Sequence, residues 1–376
     1  LSAKIIHIAG TNGKGSTAHY LNQILMSAGK RVGLFTSPHL LKWQERIQIN
    51  GKSIDLPDDY EKKLYDGGFF INTAHLAKAV FEKEDLDYII IETGIGGKKD
   101  ITMMFDADIS VITTISKDHM DILGHSIAQI AEQKAGIIRK NSVVYCHPQR
   151  IKAKKIIQQR AYFMRSKITF LSKKQIKAIK LVDDVLTFDF MYKGHTFKKI
   201  VLSTASLVQA QNAAMAFMIA VNEGVATPYI RKGLLVPIHG RTQVINKNLV
   251  LDVAHNAESF VSLKRMLKAK FKNQKINLFL AVMNSKDIKG ISKVIRSFSN
   301  RVFLVDLKEK SFYEPKEISH FFRNPTYLVG SEDALYDSFI YAKEKSLEEQ
   351  AVLVVCGTFR LTGAIYDLIN SVYADL

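Results

Sequence analysis

Short unbroken runs of β-branched and aliphatic residues alternate along the chain with stretches whose apolar residues recur every three or four positions. The runs fall at Lys4–Ala9, Arg31–Phe35, Tyr88–Ile91, Ile109–Ile112 and Val143–Cys146, and again at Leu249–Val253, Ile276–Val282, Val302–Val305 and Val352–Cys356. Each is bounded by turn residues, which predicts strands. Helical spacing appears in Tyr20, Leu21, Ile24 and Leu25 before Gly29, and over Gln211–Glu223, Phe260–Phe271 and Asp333–Lys345. Strands free of polar alternation fit a sheet covered on both faces, and the helical stretches between them fit parallel crossovers. The expected fold is therefore α/β. A Pro/Gly break at Val236-Pro-Ile-His-Gly-Arg241 divides it into an N-terminal domain over 1–238 and a smaller C-terminal α/β domain over 239–376. A length of 376 residues accommodates two such domains. No internal repeat is visible.

Composition narrows the class without changing this picture. With 47% hydrophobic and 24% charged residues the chain reads as an ordinary globular protein, and no apolar run is long enough to span a membrane. Cys146 and Cys356 end two of the apolar runs and read as buried, reduced thiols of a cytoplasmic protein. Charge is the anomaly: 53 Lys and Arg against 36 Asp and Glu leave +17, which points to nucleic acid, an anionic membrane or anionic small molecules. Fourteen of the basic residues lie in Gln133–Val182, which has no Asp or Glu. Within that block, Arg150-Ile-Lys-Ala-Lys-Lys-Ile-Ile predicts an amphipathic helix and Lys167-Ile-Thr-Phe-Leu a strand. The plain reading is a solvated basic face; attraction of anions is the alternative.

The first strand runs into Gly10-Thr-Asn-Gly-Lys-Gly-Ser-Thr17 and then a helix. Strand, glycine-rich turn and helix is the setting of a phosphate-binding loop: glycines let the backbone aim N–H groups at phosphate oxygens, and the helix N-terminus favours the anion. Asn12, Gly13 and Gly15 would line the loop, Lys14 would reach the β- and γ-phosphates, and Ser16 and Thr17 would offer hydroxyls to phosphate or its Mg²⁺. A structural glycine turn is the alternative.

Other chemistry-bearing residues sit at strand ends, where open parallel sheets gather ligands. Glu92 ends the Tyr88–Ile91 run ahead of Thr93-Gly-Ile-Gly-Gly97, and Asp118, His119 and Asp121 follow Ile109–Ile112. In the second half, Asp252, His255 and Asn256 leave the Leu249–Val253 run, close behind Arg241. Helix capping ahead of Phe260 is the alternative for Asp252 and Asn256. Spacing alone reads Lys134, in Ala131-Glu-Gln-Lys-Ala-Gly-Ile137, as a surface lysine.

Taken together, Gly10–Thr17, Thr36-Ser-Pro-His-Leu40 with Glu45-Arg-Ile47, Glu92–Gly97 with Asp100, Lys117-Asp-His119, Glu132-Gln-Lys-Ala-Gly136 and Leu251-Asp-Val-Ala-His-Asn256 resemble, in order, the folylpolyglutamate synthase/dihydrofolate synthase branch of the Mur ligase group. The resemblance covers Lys4 to about Gly363. It implies a P-loop, Mur-ligase-type ATP-binding domain followed by a glutamate-binding ligase domain. The implied enzyme adds L-glutamate to dihydropteroate, and to the γ-carboxyl of reduced folates, by way of an acyl phosphate. By the same resemblance, Ser37, Glu92 and His119 hold one or two Mg²⁺ ions, and Lys14, Lys134 and His255 serve catalysis. Asn212, Arg241 and Asp252 contact ATP, and Asp100 recognises dihydropteroate. Lys134 becomes a carbamoylated lysine, reversing the surface reading. Closure of the domains would exclude water from the acyl phosphate.

Departures from the family pattern are Lys98 for Arg, Met103 for Asn, Ile238-His-Gly-Arg241 for a Pro-Gly-Arg hinge, and Val208-Gln209 for a His-Gln pair. The chain begins at Leu1, without the helical segment that helps bacterial members bind the pterin. An enzyme limited to folate polyglutamylation, or a cell-wall Mur-type amino-acid ligase, would use the same ATP machinery. The expected partners are thus small molecules, with no nucleic acid and no membrane, for a monomer in the cytoplasm.

Overall fold

A computed structural model describes residues 2–57, 60–65, 68–331 and 334–373. The chain divides into one unit comprising 1–180, 187–203 and 208–237, and another comprising 181–186, 204–207 and 238–376.

The first unit is built on β1 (Lys4–Ala9), β2 (Val32–Phe35), β3 (Ile47–Ile49), β4 (Lys52–Ser53), β5 (Tyr88–Glu92), β6 (Ile109–Ile112), β7 (Val143–Cys146) and β8 (Lys167–Phe170). They form one sheet in the order β4-β3-β2-β5-β1-β6-β7-β8. From β2 to β8 every neighbouring pair is parallel, and β3 and β4 add an antiparallel edge. Its helices are α1 (Lys14–Ser27), α2 (Tyr60–Tyr65), α3 (Phe69–Phe81), α4 (Met120–Leu123), α5 (Ile127–Ala135), α6 (Ile151–Phe163), α7 (Gln209–Asn222) and α8 (Thr227–Leu234). Ile89, Ile90 and Ile91 are all buried, as are Val111 and Ile112, so the central strands are covered on both faces. This is why their sequences lack polar alternation. The basic block forms α6 and β8 as its pattern predicts, with Ala153, Ile157 and Ala161 inward and Lys152, Lys154 and Lys155 in solvent.

A three-stranded sheet, β9 (Ile176–Val182), β10 (Val185–Tyr192) and β11 (His195–Leu202), has β10 in the middle and was not expected from the sequence.

The second unit holds β12 (Gln243–Asn246), β13 (Leu249–Leu251), β14 (Lys275–Leu280), β15 (Arg301–Asp306), β16 (Pro325–Val329) and β17 (Ala351–Cys356), in the order β12-β13-β17-β14-β15-β16. All pairs are parallel except β12 with β13. α9 (Ala257–Lys270), α10 (Ile288–Ile295), α11 (Pro315–Ile318), α12 (Leu335–Glu348) and α13 (Phe359–Tyr373) complete the unit. The helix expected from Asp333 is described from Leu335, Asp333 itself lying outside the described residues. Both cysteines are buried and unbridged at the ends of β7 and β17. Among the described residues no helix is long and apolar enough to cross a membrane.

Candidate functional site

The chain leaves β1 at Ala9 and enters α1 at Lys14, with Gly13 at the helix N-cap at φ 92°, a left-handed conformation that a side chain would strain. Close packing also requires glycine here. A Cβ on Gly13 would lie 2.5 Å from Asn212 Oδ1, and one on Gly10 would lie 1.7 Å from Thr113 Oγ1. The loop is pinned to the exit of β6: the Thr11 amide donates to Thr114 O (2.7 Å), the Thr114 hydroxyl donates to Asn12 O (3.0 Å), and the Ser116 amide donates to Thr11 Oγ1 (3.1 Å). From α7, Gln209 Nε2 donates to Ser16 Oγ (3.1 Å), and Asn212 Nδ2 donates to Gln209 Oε1 (2.9 Å). Thr17 Oγ1 and, nearby in sequence to Glu92 and His119, Thr93 Oγ1 and Ser116 Oγ are buried without a hydrogen-bond partner among the described residues. A buried unsatisfied hydroxyl in the first turn of a glycine-loop helix fits a phosphate oxygen or its metal ion.

Glu92 is the last residue of β5 and is almost fully buried. Its Oε2 accepts from the Ser37 amide (3.1 Å) and its Oε1 lies 3.7 Å from Lys14 Nζ. A Cβ on Gly15 would stand 3.2 Å from the same carboxylate. Two of the expected metal residues, Ser37 and Glu92, are thus brought together with the loop lysine. His119 lies on the exit of β6, on the other side of β1 from β5, at the N-cap of α4 with φ 47°, its ring 3.9 Å from the Asp118 carboxylate. Asp121 on the same rim is exposed. Among the described residues no three His, Cys, Asp or Glu side chains form a group able to hold a metal. A sparse set of hard oxygen donors suits Mg²⁺, which keeps water and is commonly held through one or two carboxylates together with substrate phosphates.

Lys134 is 4% exposed and its Nζ donates to Gly10 O (2.7 Å), so the surface reading from spacing is overturned. The helix turn carrying it presses on the loop after β5: the Lys98 amide donates to Gln133 O at 2.7 Å, and Gly97 and Gly136 permit that approach. Asp100 is buried, its carboxylate accepting from the amides of Ile95 and Thr102 and from the Thr102 hydroxyl.

A separate group of residues belongs to the second unit. Asp252, just past β13, accepts from Thr242 N (2.8 Å), Thr242 Oγ1 (2.7 Å) and Ala254 N (2.7 Å). Burial pushes its carboxyl up, against these bonds and the charge of Arg241. The bonds hold Thr242 at φ 52°, a strained conformation for a β-branched residue, directly beside Arg241. Capping therefore explains only Asn256, whose Oδ1 accepts from Ser259 N at the start of α9. The Arg241 guanidinium lies over the Phe359 ring at 4.9 Å, and the His255 ring is 6.1 Å from the same phenyl. His255 Nδ1 is 2.8 Å from Val253 O; a carbonyl only accepts, so Nδ1 is the donor of this bond. Sequence reasoning passed over Thr242 and Phe359, and noted Gln209 only as part of the Val208-Gln209 pair, without a place in the site. Gln209 was legible as the i−3 neighbour of Asn212 on one helix face, whereas nothing local marks Phe359.

Comparison with known proteins agrees with both units. Residues 8–220 match the Mur ligase middle domain, and residues 238–368 match the dihydrofolate synthetase C-terminal domain. The dihydrofolate synthase/folylpolyglutamate synthase of Buchnera aphidicola subsp. Baizongia pistaciae is 32% identical over 316 residues, spanning 77% of this chain and 69% of that protein. Among solved structures, E. coli FolC in complex with ADP, without folate substrate, aligns with a TM-score of 0.86 at 25% identity over 99% of this chain and 90% of its own. A bifunctional folylpolyglutamate synthase/dihydrofolate synthase with Mn, AMPPNP and L-glutamate bound aligns at 0.83 and 25%, covering 98% and 90%. The chain belongs to the Mur ligase family, in its dihydrofolate synthase/folylpolyglutamate synthase branch.

Proposed function

We propose that the protein is an ATP-dependent ligase joining L-glutamate to dihydropteroate and to the γ-carboxyl of reduced folates. The observation that supports this most directly is the buried Thr17 hydroxyl, without a partner among the described residues, in a glycine loop whose Lys14 faces Glu92. A carboxylate is a poor electrophile. Transfer of the γ-phosphoryl group of ATP to it releases ADP and creates a leaving group; attack by the glutamate amine then expels phosphate, loses a proton and leaves an amide. Lys14 and the loop amides would offset the charge of two anions brought together. Ser37, Glu92 and His119 would hold Mg²⁺, which when bound supplies Lewis-acid stabilisation of the phosphate charge. Asn12, Gly13, Gly15, Ser16, Thr17, Asn212, Arg241 and Asp252 are assigned to ATP, and His255 to positioning the reacting groups.

Lys134 is assigned as a carbamate. A carbamate nitrogen keeps one N–H, so the bond to Gly10 O is compatible with the modification, while the added carboxylate supplies a further anion. Intact mass under bicarbonate should show about 44 Da that Lys134→Ala lacks.

The deciding assay is ADP release by purified protein with ATP, glutamate and Mg²⁺, offering dihydropteroate or tetrahydrofolate in turn. Turnover with both supports the bifunctional reading. Turnover with tetrahydrofolate alone limits the enzyme to polyglutamylation, and turnover with neither refutes the proposal. Chelation should abolish turnover, and titrating Mg²⁺ or Mn²⁺ back should show which ion the site uses.

A further inference from the structure

In Lys4-Ile-Ile-His-Ile-Ala a histidine interrupts an apolar strand at the centre of the sheet, where it is fully buried between β5 and β6. An isoleucine at position 7 would leave no polar group to satisfy, so the imidazole has to be accounted for by what it bonds. Its Nε2 lies 2.8 Å from Thr102 Oγ1, which lies 2.6 Å from Asp100 Oδ1. The proton positions follow from the chemistry. An ionised carboxylate only accepts, so the Thr102 hydroxyl gives its hydrogen to Asp100 and must receive one from His7. His7 is therefore the Nε2–H tautomer, and its Nδ1, which then carries only a lone pair, has no partner among the described residues. Burial, with the nearby charge of Arg139, holds the imidazole down to about 3, so the ring stays a neutral donor over the working range.

The donors thus run in one direction, from β1 through Thr102 into Asp100. The Asp100 carboxylate accepts also from the Thr102 amide (3.0 Å) and, through Oδ2, from the Ile95 amide (3.0 Å). Ile95 lies three residues past Glu92, in the loop at the end of β5. With Thr102 and Ile95 on its two oxygens, the carboxylate cannot rotate without breaking a bond.

We propose that His7 and Thr102 are positioning residues, fixing Asp100 and the Ile95 loop in the orientation that receives the pteroate-bearing substrate; this rests on the reading above that Asp100 meets that substrate. A hydrogen bond to a charged group is the strong kind, and its loss is expected to be felt about tenfold.

The test is steady-state kinetics of the full chain with dihydropteroate, with ADP affinity measured by calorimetry. Thr102→Val should raise the KM for dihydropteroate about tenfold, with kcat within threefold and ADP affinity unchanged, and Thr102→Ser should return the KM to within twofold of wild type. His7→Leu should raise the same KM, His7→Gln, which keeps an N–H donor, should recover most of it, and His7→Leu/Thr102→Val should be no worse than Thr102→Val alone, because the two act in one chain. A dihydropteroate KM unmoved by Thr102→Val, or by His7→Leu should Thr102→Val fail to fold, overturns the positioning role if Asp100→Asn raises that KM. If Asp100→Asn itself leaves the KM unchanged, the assignment of Asp100 to the substrate fails first. A fall in ADP affinity equal to the rise in KM would mark a general structural role and overturn the proposal as well.

Discussion

Gly136→Ala offers a sharp test of how the loop after β5 and the Lys134 helix are held together. Gly136 closes α5 at φ −57°, so alanine meets no conformational penalty there. The added Cβ would instead sit 2.4 Å from Lys98 Cβ, 2.5 Å from Lys98 Cα and 2.8 Å from Lys98 N. These neighbours are mostly backbone, and no rotamer change clears them. Residue 98 must move away, which breaks its 2.7 Å amide bond to Gln133 O. Overpacking of this kind costs about 1–3 kcal/mol and a lost backbone bond about 1 kcal/mol, or roughly 2–4 kcal/mol together. For a unit of this size that lowers Tm by roughly 5–15 °C. Gly29→Ala is the control: at φ 77° with nothing within 4 Å, it isolates the left-handed strain, about 1 kcal/mol. Calorimetric melting of both variants, with kcat for ADP release, checks the reasoning. A Gly136→Ala variant that melts no lower than Gly29→Ala would mean that residues 97–98 do not approach the end of α5 as tightly as the structure requires.

Thr17→Ala should separate stability from binding: it deletes a buried hydroxyl that lacks a partner among the described residues, so Tm should hold or rise, while ATP affinity measured by calorimetry falls at least about tenfold. Phe359→Leu keeps an apolar neighbour but removes the π face under Arg241, worth about 0.5–1 kcal/mol, so the KM for ATP should rise about two- to fivefold without loss of Tm. Burial alone would push Glu349 up, but bonds from Arg301 and Asn277 and the charges of Arg301 and Lys345 outweigh it and its carboxyl is held below the usual range. A lowered folded pKa gives stability that is present above the ordinary glutamate range, near pH 4.3, and lost as pH falls through the lower folded value. Melting curves of the second unit should therefore show less acid destabilisation below about pH 5 in Glu349→Gln than in wild type.

The strands that carry the site were legible because they are central and parallel. Buried on both faces, Tyr88–Glu92 and Ile109–Ile112 need no polar alternation, and their ends mark where ligands gather. The β9–β11 sheet was not legible for the opposite reasons. In β9, Lys177, Ala178, Ile179 and Lys180 are all exposed, so the strand merges with the basic block and shows no clean period of two. Its turns, Asp183-Asp184 and Lys193-Gly194, have positive φ at both central residues. That is the backbone a tight hairpin needs, but without the Asn-Gly or Asp-Gly pair that would announce it.

Among the site residues, the difference between legible and hidden is the sequence distance to the partner. Lys14, Ser16 and Thr17 follow from a local pattern, because the loop and its helix are contiguous. Why position 10 must be glycine depends on Thr113, and the fit at Gly13 depends on Asn212; Arg241 has its ring from Phe359. Lys134 shows the same limit more strongly. Helical spacing among small residues describes a surface lysine equally well; its burial comes from tertiary packing, with residues 97–98 docked on its turn and its Nζ on Gly10 O. A buried lysine is costly unless something holds it, so its burial beside the phosphate loop is a stronger sign of use than any spacing in the sequence.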